Sequence, residues 1–210
     1  MSLTDDVYER IKDQILRVQR APGTAIYEAE LATEYGVSKT PVREALRLLS
    51  QTGWVVVLPR KGYLVRPVEL RDIRDIFAVR RMIEPEVAAA AAARATADDL
   101  ELLARMLGEQ HNASGTDAAL GAASAFHLAL ADIGGNPRVR TILQDLTDEV
   151  RRLHYLLPQI EEHITSVEEL RAHDLILTAL RDRDSERARQ LTIEHLNEVA
   201  QTLVRGFSGV

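Results

Sequence analysis

The sequence predicts a mostly α-helical chain in two parts: three helices closed by a β-hairpin over residues 1–67, then an all-helical antiparallel bundle of about six helices over residues 68–210. Three observations predict it. Apolar residues recur at helical spacing along most of the chain, and the clearest β-rich stretch, Trp54 to Arg66, is broken by the turn residues Pro59-Arg60-Lys61-Gly62. Capping residues, glycines and prolines cut the remainder into helix-length segments. Aromatic residues make up only 4% of the chain, which favours helix packing built on Ala and Leu.

The first helix follows from Val7, Ile11, Ile15 and Leu16, and Ala21-Pro22-Gly23-Thr24 is expected to end it as a tight turn. Glu30 to Tyr35 forms a short second helix, with Gly36 at the positive-φ position after it. The third starts in Gly36-Val37-Ser38-Lys39-Thr40-Pro41-Val42-Arg43-Glu44-Ala45-Leu46-Arg47. Thr40 is placed as its N-cap and Pro41 as its first residue, where a missing N–H needs no partner. Val42, Ala45, Leu46 and Leu49 make one apolar stripe, which leaves Lys39, Thr40, Arg43 and Arg47 on the other side. Gly53 closes this helix.

Three helices followed by a hairpin with a basic tip make a winged helix-turn-helix. Such a third helix enters the major groove of double-stranded DNA, where basic and hydroxyl side chains meet base edges and phosphates. The wing tip, Lys61 and Gly62, reaches an adjacent groove or phosphates. Glycine is expected there because a side chain would hold the backbone off the DNA. An ordinary amphipathic surface helix is the competing reading of the third helix taken alone.

Charge supports this division. The chain has 26 Lys+Arg against 32 Asp+Glu, a net of −6; residues 1–67 hold 10 and 8, the rest 16 and 24. The acidic second part is not expected to lie on DNA. One mildly basic first part should bind weakly, so a homodimer reading a pseudo-palindromic operator is expected. With no run of about 18 apolar residues, no membrane span is expected. The absence of cysteine excludes disulfides and thiolate metal sites, and an acidic, polar start shows no secretory signal; both suit the cytoplasm.

After Arg66-Pro67-Val68-Glu69 the reading is helical throughout. Leu70 to about Arg94 is expected to kink at Pro85. Thr96 caps a helix to about Gln110, and another runs from about Asp117 to Ile133. Gly134-Gly135-Asn136-Pro137 stops that one and starts the next, which reaches about Leu157. Ser166-Val167-Glu168-Glu169 reads as a capping box, and Asp184 begins a last helix ending near Gly206.

Within the bundle, His127 shares a face with Ala123, Leu130 and Ala131. His173 is in register with Leu170, Ile176, Leu177 and Leu180, and His195 with Leu191, Val199 and Leu203. Any one of them alone reads as a satisfied core histidine. Three on inward faces of three helices are expected to converge, because a buried imidazole needs a polar partner and a shared divalent metal supplies one. Arg80, one turn before Glu84, either binds a carboxylate inside the bundle or pairs with Glu84 on a solvated face. Arg81, His111, His154 and His163 read as surface or helix-end residues.

Residues 7–66 resemble the N-terminal domain of GntR-family bacterial transcription regulators. The match lies in Pro22-Gly23, Ile26, Glu28, Leu31-Ala32, Gly36 to Leu49, Gly53-Trp54 and the Pro59–Gly62 wing. The resemblance carries the family's DNA contacts onto Lys39, Thr40, Arg43 and Gly62. Lys39 stands where Arg is usual, which replaces a bidentate guanine contact by a point charge. Residues 70–206 resemble the FCD effector domain of the family's FadR branch through Arg80 to Glu84, Phe126-His127, Gly135 to Pro137, His173 and His195-Leu196. Metal-binding members add an Asp one turn before the first His; Ala123 stands there, which weakens the site. The resemblance implies a ligand-responsive regulator, most often a repressor. It senses a small organic acid through Arg80 and a His127, His173, His195 centre holding Zn²⁺ or Ni²⁺. A metal-free pocket in which these histidines bond the effector directly is the runner-up. A three-histidine metal enzyme fused to a DNA-binding module is the alternative from another class, but beyond Arg80 and Glu84 no acid or base is clearly placed beside the histidines.

Overall fold

The computed structural model describes residues 2–208; Met1 and Val210, which bound the sequence-based division, lie outside them. The chain separates into two compact units, Met1–Glu69 and Leu70–Val210, so the division falls slightly later than 67/68.

The first unit runs α1 (Leu3–Leu16), β1 (Ala25–Ile26), α2 (Glu28–Tyr35), α3 (Lys39–Gln51), β2 (Val55–Leu58) and β3 (Gly62–Val65). Ser2 and Asp5 close a reciprocal capping box on α1. This helix buries Val7, Ile11, Ile15 and Leu16. It ends at Leu16, short of the Ala21–Thr24 turn, because the chain takes a positive φ of 58° at Val18. Gly36, at φ 66°, caps α2. Ser38, not Thr40, is the N-cap of α3, and Pro41 is its third residue. Proline is tolerated there because the first four N–H groups of a helix have no intrahelical acceptor. The predicted stripe Val42, Ala45, Leu46 and Leu49 is buried, and α3 packs on α1 and α2.

The hairpin is as expected, but the sheet has a third strand. Its order is β1-β3-β2, all antiparallel, with Ile26 opposite Tyr63 and Leu58 opposite Gly62. Two residues cannot show a period, so β1 is invisible in the sequence. It also supplies a different reason for Gly62. At φ 90°, a Cβ on residue 62 would lie 2.6 Å from the Ile26 carbonyl oxygen. The glycine is required by the sheet itself, whatever lies outside it. Gly62→Ala is therefore expected to destabilise the first unit by about 1–3 kcal/mol, measured as a lower denaturant midpoint by Trp54 fluorescence. A variant as stable as the parent would show that the wing can relax around the new methyl.

The second unit contains α4 (Leu70–Arg94), α5 (Ala97–His111), α6 (Thr116–Gly134), α7 (Pro137–Leu156), a 3₁₀ turn (Pro158–Thr165), α8 (Val167–Arg181) and α9 (Ser185–Ser208). Three of the helix-start signals act where expected. Thr96 and Asp99 form a capping box, Asn136 accepts from the N–H groups of Arg138 and Val139, and Asp184 accepts from that of Arg187. α4 continues as helix through Pro85. The 3₁₀ turn is an addition to the expected elements.

α4 packs against α9, α6, α7 and α8, and α5 bridges α6 and α8. Their core includes Leu103, Phe126, Leu143, Ile176 and Leu180, with Ala88, Ala91 and Ala92 of α4. Alanines let α4 approach its neighbours closely, so side chains from several helices meet in one small space. Among the described residues, no helix is long and apolar enough to cross a membrane.

Candidate functional site

In the first unit, Lys39, Thr40, Arg43 and Arg47 are exposed on α3, and Lys61 is exposed at the wing tip beside half-buried Gly62. Two of the arginines are not free, as the stripe argument had them. Arg43 binds Glu28 of α2 through Nε (3.0 Å) and Nη2 (2.9 Å), and Arg47 Nε binds Glu44 (3.2 Å). These are solvent-facing pairs of the kind that contribute little to stability, so both guanidinium groups remain available to a polyanion.

The bundle places polar side chains from all its helices at one point. His127 of α6, His173 of α8 and His195 of α9 are all buried and converge as expected. His127 Nε2 lies 3.3 Å from His173 Nε2 and 3.4 Å from His195 Nε2. Gln110 of α5 fixes one tautomer. Its Nε2 donates to the Ile164 carbonyl (3.0 Å), which turns Oε1 toward His173 Nδ1 at 2.9 Å. Oε1 can only accept, so His173 carries its proton on Nδ1 and a lone pair on Nε2.

Glu84 Oε2 lies 2.8 Å from His127 Nδ1, at ion-pair distance though not aligned as a hydrogen bond. On its other side Glu84 binds Arg80, and both side chains are only 4% exposed. The two readings of Arg80 therefore combine: it pairs with Glu84, but inside the bundle. Burial alone would push the Glu84 carboxyl up; Arg80 and His127 outweigh it and hold the group well below the usual range. Burial, reinforced by the neighbouring histidines, drives His173 and His195 well below the ordinary imidazole range. Both are neutral, the form that ligates a metal.

These residues fit a divalent cation. Nε2 atoms about 3.3 Å apart either share a proton, with His127 donating, or turn their lone pairs onto a cation between them. Zn–N bonds of about 2.1 Å in tetrahedral geometry put ligand nitrogens about 3.4 Å apart, which matches the 3.3 and 3.4 Å spacings from His127 Nε2. Oxygens of Gln110 and Glu84 behind the imidazoles are the outer partners such ligands require.

A cavity of ≈ 30 Å³ adjoins the histidines, lined by Arg80, Ala123, Ser124, His127, Glu169 and His195 among others. It has room for no more than a few waters. Thr147, Arg151 and His154 of α7 also line it. Thr147 Oγ1, Arg151 Nε and His154 Nε2 are buried without a hydrogen-bond partner among the described residues. His154 is thus not a surface residue; burial brings its pKa down to about 4, and its Nδ1 bonds the Val150 carbonyl. Their spacing, i, i+4, i+7 along α7, was a usable signal. His163 also departs from expectation, lying 3.5 Å from Glu169 Oε2, whereas His111 is exposed and pairs with Asp174.

Glu169 is the main residue missed, and it corrects the expectation that no acid beyond Glu84 stands near the histidines. Ser166 Oγ accepts the Glu169 N–H at 3.2 Å, but the reciprocal half of the predicted capping box is absent. The Glu169 side chain turns inward instead, 3.6 Å from both His173 Nε2 and His195 Nδ1. Burial pushes its carboxyl up to about 8, with Arg80 opposing and Glu198 adding.

Comparison with known proteins places both units. Residues 3–65 match the model for bacterial regulatory proteins of the gntR family, and residues 75–198 match the FCD domain. The chain is 30% identical over 206 residues to an HTH-type transcriptional regulator in an unstable DNA locus of Streptomyces ambofaciens, covering 95% of this chain and 84% of that protein. It is 27% identical over 205 residues to the HTH-type transcriptional repressor RspR of Escherichia coli K12, covering 96% and 89%. The fold matches that of E. coli McbR/YncC with a TM-score of 0.84 at 24% identity over 99% of both chains. These are regulators rather than enzymes, and no reaction needs to be assigned to the buried histidines. With both domain types matched in order along the sequence, the chain is a transcription regulator of the gntR family carrying an FCD effector domain.

Proposed function

We propose that this regulator acts as a homodimeric repressor that reads a two-fold related operator and responds to a small carboxylic acid. The observation that carries the sensing half is the meeting of three imidazole Nε2 atoms beside a cavity lined by cationic and unpartnered polar groups. Residues 68–210 are the effector and dimerisation domain in this reading. His127, His173 and His195 hold a Zn²⁺ or Ni²⁺ ion, which supplies a Lewis-acidic centre for an oxygen of the acid. Glu84 orients His127, and Gln110 holds the tautomer of His173. Arg80 adds positive charge beside the acid, and Thr147, Arg151 and His154 offer it their unused polar atoms. The repressor sense is that of the relative RspR.

Residues 1–67 are the DNA-binding domain. Lys39, Thr40, Arg43 and Arg47 face the major groove, with Lys61 and Gly62 at the wing. Binding of the acid and of DNA are linked, so each weakens the other by the same factor.

The test has two arms. Duplexes enriched from a random pool by the full chain are titrated with parent and Arg43→Ala protein. The variant is expected to bind roughly 10- to 100-fold more weakly and to lose discrimination at one base position. Equal affinity would remove Arg43 from the interface. In the second arm, chelator-stripped protein is melted with a panel of small carboxylic acids, with and without Zn²⁺ or Ni²⁺. An acid that raises the midpoint only with metal supports the proposal. A shift with acid alone points to the metal-free pocket, and an acid-insensitive protein would sink the sensing half.

A further inference from the structure

We propose that Glu169 is the anionic ligand of the three-histidine centre, delivered from α8 in place of the carboxylate absent at Ala123. The inference rests on the metal reading above and adds to it a residue that the resemblance does not supply.

Glu169 and His173 stand four residues apart on α8, so their side chains share one face of the helix. Both are buried. One Glu169 oxygen is 3.6 Å from His173 Nε2, the nitrogen whose lone pair the Gln110 bond turns toward the cluster. That spacing is close to the separation of about 3.4 Å between two ligands of one tetrahedral cation, and a rotation of the Glu169 side chain brings its oxygen into the set formed by the three histidines, whose ligand atoms already lie within 4.8 Å of one another. The other oxygen is 3.6 Å from His195 Nδ1 and 3.5 Å from His163 Nε2. Three imidazoles thus surround the carboxylate without an aligned hydrogen bond to it. Burying a carboxylate so is costly unless a positive charge sits beside it.

Arg80 favours the charged form of Glu169 from the same cavity, but its guanidinium is already bound by Glu84, and helix capping does not turn Glu169 inward either. Its backbone N–H serves the helix cap through Ser166, but the Ser166 N–H goes to the His163 carbonyl at 2.9 Å, which leaves the Glu169 side chain with no capping role. Ala123 of α6 lines the same cavity and offers only a methyl group. A glutamate from the facing helix is long enough to occupy the space an acidic side chain there would fill. The consequence is electrostatic. Three neutral imidazoles alone leave the +2 charge uncompensated, whereas Glu169 reduces it to +1. The centre then needs one more anion for neutrality, and a monocarboxylate supplies that charge.

The experiment uses the chelator-stripped full chain and Zn²⁺ in competition with a chromophoric chelator. Glu169→Gln is expected to weaken Zn²⁺ binding at least about tenfold, since even outer-shell partners of a metal ligand are worth 10–100-fold. Ala123→Asp in the Glu169→Gln background is expected to restore most of it. Unchanged affinity in Glu169→Gln, with binding abolished in His127→Ala, would overturn the Glu169 assignment while leaving the histidine centre standing. A parent chain that binds no Zn²⁺ would overturn both. Crystals of the Zn²⁺-loaded parent chain decide independently of how the variants fold: a Glu169 oxygen at about 2.0–2.2 Å from the ion is expected, and a Glu169 side chain turned away from it would be fatal.

Discussion

Replacing Arg80 by methionine is expected to lower the unfolding free energy of the helical unit by about 3–5 kcal/mol, because it leaves a buried carboxylate without its cation. Arg80 and Glu84 are each 4% exposed at the side chain and lie one turn apart on α4. Methionine fills much of the arginine's length but cannot compensate the Glu84 charge. His127, 2.8 Å away, offers a single contact. Removing both charges, as in Arg80→Met with Glu84→Gln, should recover most of the loss, since a neutral pair avoids the desolvation of an unpaired ion. Far-UV circular dichroism against urea, which the helical unit dominates, gives the midpoints. A single variant that costs less than about 1 kcal/mol, or a double variant no better than the single, would show that water reaches Glu84 and relieves it.

His127→Ala should abolish the stabilisation that Zn²⁺ confers. His127 is the hub of the cluster, with its Nε2 within 3.4 Å of both other Nε2 atoms. Without it, His173 and His195 retain ring contact, but the shared lone-pair site is gone. A metal at a hundred times its dissociation constant stabilises the native state by about 2.7 kcal/mol. For a chain of this size that is a rise in melting temperature of roughly 5–10 °C. The parent should show that rise and His127→Ala none, at equal helical content. Identical metal responses in the two proteins would place the binding site elsewhere. The metal-free variant also lacks a buried side chain, so both proteins must be compared with and without metal, not only with it.

Much of this molecule is readable from short-range pattern. The α3 stripe of Val42, Ala45, Leu46 and Leu49, the stop at Gly135, the caps at Thr96 and Asn136, and the wing turn depend on residues within one or two helical turns of each other. Local sterics and local hydrogen bonds decide them. Convergence of His127, His173 and His195 was also legible, because an imidazole on an apolar helix face has few ways to be satisfied.

What the sequence left open is what depends on distant neighbours. Glu169 reads as a capping residue, since Ser166 and Glu169 have that spacing; only the packing of α8 against α9 and the 3₁₀ turn shows its side chain among His163, His173 and His195. His154 reads as a helix-end residue because its partners in the cavity, Arg80 and His195, are far away in sequence. For Gly62 the sequence offers only an approach to DNA as the reason for glycine; β1 adds a second, with the Ile26 carbonyl where a Cβ would go. The sequence by itself determined the helices, their caps and the inward histidines, because these are settled by periodicity and by the chain's own nearest groups. Only the tertiary structure decided which polar groups share one buried space, because burial and the distance between charges are properties of the packed helices together.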